Sequence, residues 1–392
     1  MALKMDNPFN TQNEDLRLGR TNAHLFHRQI RDRLLKRIEP ILFDEYWDSW
    51  QIVKEFEASF SDTMGYSFVS TVQSGSAGLR LCLESLGLKQ DDEVITVANS
   101  DLATTAAISQ CGGKIVFCDI NPQDYCIDVE KIETLITQKT KGIIAVDMYG
   151  LIADGKRIRE IADQHGLFVL EDATLSLGGT DCGFPVGHFA DAAVFSTCPY
   201  KPFESAGGGG IVVTNRQEFW EKVEILKGFG MKPNTGGSLP IRYDHIAEGY
   251  NLKMLPFEAA VLLEKLPYLK QWSNNRRLIG KKYKEKFRQE PAIQCPNIRE
   301  ESEPIFRMYP ICVPERDLLF DRLCSKGVKA SLHYFPPVHM QSVYRDMKIR
   351  GSENLTETES VANQLICLPS DPLMRDEDIS YISEIILEHI RR

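Results

Sequence analysis

The chain has 392 residues, 43% of them hydrophobic and 26% charged, which argues against a disordered chain, a collagen-like fibre and a membrane bundle. Lys and Arg total 46 against 55 Asp and Glu, and the net charge of −9 speaks against broad binding to nucleic acid or to an anionic membrane. No run approaches the roughly 18 apolar residues that cross a bilayer, and the N-terminal stretch lacks the apolar core of a secretory signal, so the expected location is cytoplasmic. Cys82, Cys118, Cys198, Cys312 and Cys367 sit inside apolar runs, without a Cys-x-x-Cys pair or a Cys/His cluster. They read as buried reduced thiols rather than as a disulfide set or a metal site.

Residues 1–50 mix charges and aromatics, with Arg28, Arg31, Arg33 and Arg37 ahead of Tyr46 and Trp50. They read as an N-terminal helical extension whose charges form solvated faces. From residue 51 a rhythm begins, with Val53, Phe56 and Phe60 at helical spacing over 51–64. Ser74-Gly75-Ser76-Ala77 then leads into a second helix, where Leu79, Cys82, Leu83 and Leu86 fall on one face and Gly87 supplies a stop. Short apolar runs follow at 93–98, 114–120, 142–148, 167–170, 192–196 and 210–214, with helical segments at 102–110, 129–137 and 156–165 between them. Continuous apolar strands separated by helices predict a mainly parallel sheet covered on both faces, a three-layer α/β/α domain over 51–270.

The stretch 227–250 is rich in Gly and Pro and reads as loop, and Asn251 opens an apolar helical segment to 269. Beyond it the pattern predicts a charged helix over 275–289, a strand over 309–313 and a helix over 317–325. A turn at Gly327, a strand over 329–333 and a last helix over 376–391 complete it. This is a smaller C-terminal α+β domain over 271–392.

The common nucleotide, zinc-peptidase and α/β-hydrolase motifs are absent, and three other features carry the chemistry. Ser74-Gly75-Ser76-Ala77 opens a helix, a place that suits a phosphate, although a serine N-cap alone accounts for it. Glu171-Asp172 ends an apolar strand, where ligands of open α/β sheets bind; a solvated turn acid is the alternative. Lys201 lies between two strands in Phe195-Ser196-Thr197-Cys198-Pro199-Tyr200-Lys201, ahead of the glycines 207–210. Together they make a phosphate cradle, an acid for a ring nitrogen and a lysine nucleophile, the set that pyridoxal phosphate requires.

The order and wording of these segments resemble the DegT-type sugar aminotransferase family, of the aspartate-aminotransferase fold. The resemblance runs from about Val53 to the C-terminus through Asp92-Glu93-Val94-Ile95, Phe117-Cys118-Asp119-Ile120, Glu171-Asp172-Ala173, Gly249-Tyr250-Asn251-Leu252 and His333-Tyr334. It implies pyridoxal 5'-phosphate as cofactor, with Lys201 as the Schiff-base lysine and proton carrier and Asp172 as partner of the pyridine nitrogen. By position it gives Gly75, Ser76 and Ser196 as phosphate contacts. Asn251 matches a residue that reaches the neighbouring subunit's cofactor, which implies a homodimer with shared sites, and His333 and His339 fall at the substrate entrance. The reaction it implies moves an amino group from an amino acid donor, glutamate or glutamine, to a keto sugar or keto cyclitol. A lyase, decarboxylase or dehydrating enzyme of the same fold is the alternative, and a non-catalytic protein of that fold a third.

The chain also departs from the family pattern. Asp101 stands where an aromatic residue usually covers the cofactor ring, Leu175 where Gln is common, Leu177 and Asp147 where His is frequent, and Lys253 where Arg is. Asp101 reads either as the N-cap of the 102–110 helix or as a polar group facing the substrate.

Overall fold

The computed structural model describes residues 23–44, 50–231 and 244–391. Tyr46, the first 22 residues of the extension and 232–243 of the Gly/Pro-rich loop lie outside the described residues.

Two helices open the described chain, α1 (Ala23–Gln29) and α2 (Arg31–Phe43), followed by α3 (Gln51–Met64). Strand β1 (Phe68–Val72) leads into α4 (Gly75–Ser85), then β2 (Glu93–Val97), α5 (Leu102–Gln110), β3 (Lys114–Cys118) and the short α6 (Val129–Ile132). Next come β4 (Thr140–Val146), α7 (Gly155–His165), β5 (Phe168–Asp172), a small hairpin of β6 (Thr180–Asp181) and β7 (Phe184–Pro185), then β8 (Ala192–Ser196) and β9 (Gly210–Thr214). Helices α8 (Gln217–Lys227), α9 (Pro256–Lys265) and α10 (Leu269–Phe287) follow. The C-terminal α+β region holds β10 (Ser302–Glu303), β11 (Tyr309–Cys312), α11 (Arg316–Ser325), α12 (Thr356–Gln364), β12 (Leu365–Leu368) and α13 (Asp376–Ile390).

Seven strands form one sheet in the order β1-β9-β8-β5-β4-β2-β3. Only β9 runs against its neighbours, β1 and β8, so the sheet is mainly parallel as expected. Alternation along the strands supplies both faces. Ala193, Phe195, Ile211 and Val213 join Phe56 and Phe60 of α3 and Leu262 of α9 in one core. Val194 and Val212 turn the other way, into a core with Leu79 of α4 and Ile158 of α7. β11 and β12 pair antiparallel in the C-terminal region, and their Tyr309, Ile311 and Ile366 extend that second core.

Four local readings differ. Phe68–Val72 is a strand, unrecognised in sequence because its Ser-Thr centre breaks the apolar run. The segment read as a helix over 129–137 shortens to α6 and one 3-10 turn. The segment from 251 is not helical at first: Asn251 bridges Gly228 and the Leu252 carbonyl accepts the Gln73 amide at 2.8 Å, so α9 starts at Pro256, whose fixed φ suits a first turn. The stretch 329–333 forms no strand; Ser331 alone pairs with Cys367.

The described arm keeps its charged face largely exposed and is pinned at a few points. Phe26 is buried edge-on against Tyr268 and Trp272, with centroids 4.9 and 4.8 Å away. Arg37 donates to Glu264 (2.7 Å) and Glu55 (2.9 Å), and Arg33 to the Tyr268 hydroxyl. These partners account for Arg33 and Arg37, whereas Arg31 pairs with its exposed neighbour Asp32. Among the described residues no helix is long and apolar enough to cross a membrane, and no His/Cys/Asp/Glu group could hold a metal ion.

Candidate active site

Three connections leave the carboxyl ends of strands β1, β5 and β8, the side of an open sheet where ligands bind. The first is the turn into α4. Ser74 has extended backbone and its Oγ accepts the Ala77 amide at 3.1 Å, so the hydroxyl is the helix N-cap. The amides of the first turn have no partners within the helix and carry its positive end. Gly75 is placed so tightly that a Cβ there would lie 3.0 Å from Ser196 Cβ and 3.2 Å from Thr174 Cγ2. Gly75, Ser196 and Thr174 thus converge from three loops on one small cradle, with Ser76 exposed beside it.

The second connection begins at Asp172, the buried last residue of β5. Thr104 Oγ1 donates to Oδ2 at 2.6 Å and the Thr174 amide to Oδ1 at 3.3 Å. Thr104 is itself bonded to Ser100 at 2.8 Å. The carboxylate is therefore held by two donors of the fold.

The third connection carries Lys201. Its amide donates to the Cys198 carbonyl (3.2 Å), and the Ser205 amide closes the turn onto the Thr197 carbonyl (2.7 Å). Tyr200 takes a left-handed φ of +70°, which the Glu204 carboxylate supports by accepting the Tyr200 amide. The Glu204 carbonyl in turn accepts from buried Lys265 of α9 at 2.6 Å. Arg307, just before β11, donates through Nε to the Tyr200 carbonyl. Burial pushes the half-buried Lys201 amine below its ordinary pKa and Arg307 adds to this, while Asp172, Asp101 and Cys198 oppose it. Lys201 and Asp172 are thus within electrostatic reach of each other.

The remaining expected residues are placed as follows. Asp101 is the N-cap of α5, accepting the Ala103 amide at 3.0 Å, and the Tyr334 hydroxyl also bonds to its carboxylate. The cap accounts for the residue locally, and Tyr334 brings it to the same mouth as Lys201. Asn251 is exposed, one residue from the Leu252 carbonyl that holds the Gln73 amide beside the cradle. Leu175 and Leu177 are buried in the turn after β5, as core residues. His333 bonds Ser331 through Nδ1 at 2.8 Å, and its carbonyl accepts from Tyr149. His339 lies elsewhere: buried, it pairs with Glu359 at 3.1 Å and sets its ring against Phe117 of β3.

Beneath the site, Asp147 and Glu171 form a fully enclosed carboxyl pair. Asp147 accepts from Ser176 Oγ (2.6 Å) and the Ala153 amide (3.0 Å) and shares a hydrogen bond with Glu171. Burial raises Asp147 to about 7, with the neighbouring charge of Asp172 adding to it while the hydrogen bonds from Ser176, Ala153 and Glu171 oppose it; burial and then Asp147 push Glu171 well above the usual carboxyl range.

Thr104, Thr174, Arg307 and Tyr334 belong to the site and were not singled out in sequence. Tyr334 lies in the quoted His333-Tyr334 pair and Thr174 follows Glu171-Asp172-Ala173, whereas Arg307 sits alone in an apolar run and offered no signal.

The donor set fits pyridoxal phosphate: a glycine cradle at a helix start that any side chain would fill, a held carboxylate and a half-buried amine. Comparison with known proteins agrees. A "Pleiotropic regulatory protein" of Geobacillus stearothermophilus is 30% identical over 367 residues, 93% of this chain and 96% of its own. A dTDP-3-amino-3,4,6-trideoxy-alpha-D-glucose transaminase of Micromonospora megalomicea subsp. nigra is 30% identical over 86% of this chain and 90% of its own. The solved structure of NtdA from Bacillus subtilis with bound cofactor PMP superposes with a TM-score of 0.84 at 28% identity, covering 98% of this chain and 87% of that one. The model of the DegT/DnrJ/EryC1/StrS aminotransferase family matches residues 28–387, nearly the whole chain, and this protein belongs to that family.

Proposed function

We propose that this chain is an aminotransferase that holds pyridoxal 5'-phosphate on Lys201 and transfers an amino group from an amino acid donor, glutamate or glutamine, to a keto sugar or keto cyclitol. The observation that carries the reading is the meeting of Gly75, Thr174 and Ser196 at one cradle, with Asp172 and Lys201 in electrostatic contact beside it. When bound, the cofactor supplies a carbonyl carbon that accepts the amino group and a ring that withdraws electrons. Gly75, Ser76 and Ser196 hold its phosphate at the start of α4, where backbone donors and the helix dipole favour an anion. Asp172, held by Thr104 and Thr174, would be the partner of the ring nitrogen and would favour its protonated form. Lys201, whose amine burial shifts below its ordinary pKa, would carry the proton between carbons. Asp101 and Tyr334 at the mouth present polar groups suited to a hydroxylated acceptor.

The functional unit is a homodimer in the cytoplasm. Phe229 and Ile246 are exposed, and the Phe229 amide donates to the Tyr250 carbonyl next to Asn251, so a second copy would cover apolar side chains where Asn251 reaches its cofactor. The reading is tested by Lys201→Ala. Borohydride fixes cofactor to Lys201 of the native holoenzyme, detected by peptide mass, and neither that adduct nor turnover survives in the variant; normal turnover without the lysine overturns the assignment. Glutamate or glutamine converts bound cofactor to its pyridoxamine form, whereas release of an elimination product with the cofactor unchanged identifies a lyase instead.

A further inference from the structure

Lys201 is gripped from both sides of the molecule, and the two grips differ. Glu204 and Lys265 hold the turn from within the sheet domain, through the Tyr200 amide and the Glu204 carbonyl. Arg307 comes from the C-terminal region, is 4% exposed, and is the group that reaches both the turn's backbone and its amine. Its Nε binds the carbonyl of the residue before the lysine. Its charge also bears on Tyr334, the partner of Asp101 across the mouth.

We propose that Arg307 is the positioning residue for Lys201: it ties the lysine turn to the C-terminal region through the Tyr200 carbonyl and stands a second cation against the lysine amine. The inference rests on Lys201 being the reactive lysine. An amine that must add to a carbonyl and later accept a proton works only when uncharged. Desolvation takes it part of the way, and Arg307 offsets the carboxylates Asp172 and Asp101 and the thiol Cys198 that favour its charged form. Asp172 comes from β5, Asp101 from the start of α5 and Cys198 from the lysine's own loop, so Arg307 is the opposing cation among the groups acting on Lys201. Arg307 therefore contributes to placement and to charge state through one side chain, beside the hold of Glu204 and Lys265 and the effect of burial. A C-terminal region that shifts away would release both at once.

The test uses the full-length chain freed of cofactor, with trace acetylation of Lys201 followed by peptide mass between about pH 6 and 10. Arg307→Gln keeps a donor without the charge, and Arg307→Lys keeps a charge without the planar fork. In R307Q the labelling midpoint moves to higher pH, and labelling near neutrality slows about threefold to tenfold. R307K stays within about twofold of the native chain there. A turn that is merely loosened changes the plateau rate and leaves the midpoint where it was, which overturns the proposal. So does an unchanged R307Q profile, or loss of the folded state in both variants by thermal melt, since Arg307 is then a core support. Borohydride reduction of the reconstituted native enzyme separates the two readings. If no cofactor is fixed on Lys201, the functional assignment fails whatever Arg307 does to the amine.

Discussion

Glu171 and Asp172 are consecutive carboxylates at the end of one strand, and pleating sends them to opposite faces of the sheet. Asp172 meets a hydroxyl, an amide and the field of Lys201. Glu171 meets a second acid, Asp147, in an enclosed site, and shares a proton with it. The same chemical group is thus held by hydrogen-bond donors beside an amine on one side and hydrogen-bonded to a second acid on the other. Environment rather than residue type assigns the role.

Removing the charge on the ligand side has the largest effect. Asp172→Asn is expected to lower turnover by about a hundredfold or more, as loss of a preorganised electrostatic partner does, with little change in melting temperature. Steady-state kinetics beside a thermal melt measures both; a variant that melts early but turns over normally reverses the contrast. Filling the cradle comes next. Gly75→Val forces a side chain against Ser196 and Thr174, and about 1–3 kcal/mol of overpacking corresponds to roughly a tenfold or greater loss of cofactor affinity, read by absorbance titration.

On the side of the paired acids the effect is on stability and depends on pH. The pair binds protons in the folded state that free carboxyls, with pKa values of about 4, have already lost. Folding therefore takes up protons, and this contribution to stability declines as pH rises from about 4 through about 7, the raised value of Asp147, and further as Glu171 ionises. The melting temperature of the native chain should fall by a few degrees across that span, and Glu171→Gln, which keeps the hydrogen bond without a proton to lose, should flatten the decline. A decline of equal slope in both chains would mean that the pair does not share its proton.

The smallest effect belongs to Asp101. Asp101→Ala removes a helix cap at a cost of about 1 kcal/mol, whereas Asp101→Asn retains the cap and loses only the charge. Activity that falls in both variants, while the melting temperature falls in the alanine variant alone, isolates the contact to Tyr334. Full activity in the asparagine variant would leave the residue as a cap and nothing more.

Much of this was legible in sequence because it rests on periodicity and on short motifs. The central strands are apolar throughout, Ser74-Gly75 opens a helix, Glu171-Asp172 ends a strand and Lys201 lies on a loop between two strands. What escaped reading depends on three-dimensional meeting. Phe68–Val72 owes its strand state to pairing with β9, with its buried Ser70 hydroxyl bonded to Glu224 and Lys227. The stretch at 329–333 has strand-like composition but only the bridge at Ser331. Arg307 and Thr104 gain meaning from residues about a hundred and about seventy positions away, separations to which no local pattern is sensitive. His339 shows the converse: a histidine singled out in sequence whose buried pairing with Glu359 makes it part of the frame.

The turn before α4 and the glycines before β9 are stitched together. The Gly209 amide donates to the Gln73 carbonyl at 2.8 Å, Ser74 bridges Gly209, and a Cβ on Gly210 would lie 2.6 Å from the Ser74 carbonyl carbon. The anion-gripping end of the cavity and the ribbon returning from the reactive amine are in this way a single splint. Anyone transplanting this pocket into another scaffold would have to move both segments together, since neither holds its shape without the other's backbone alongside.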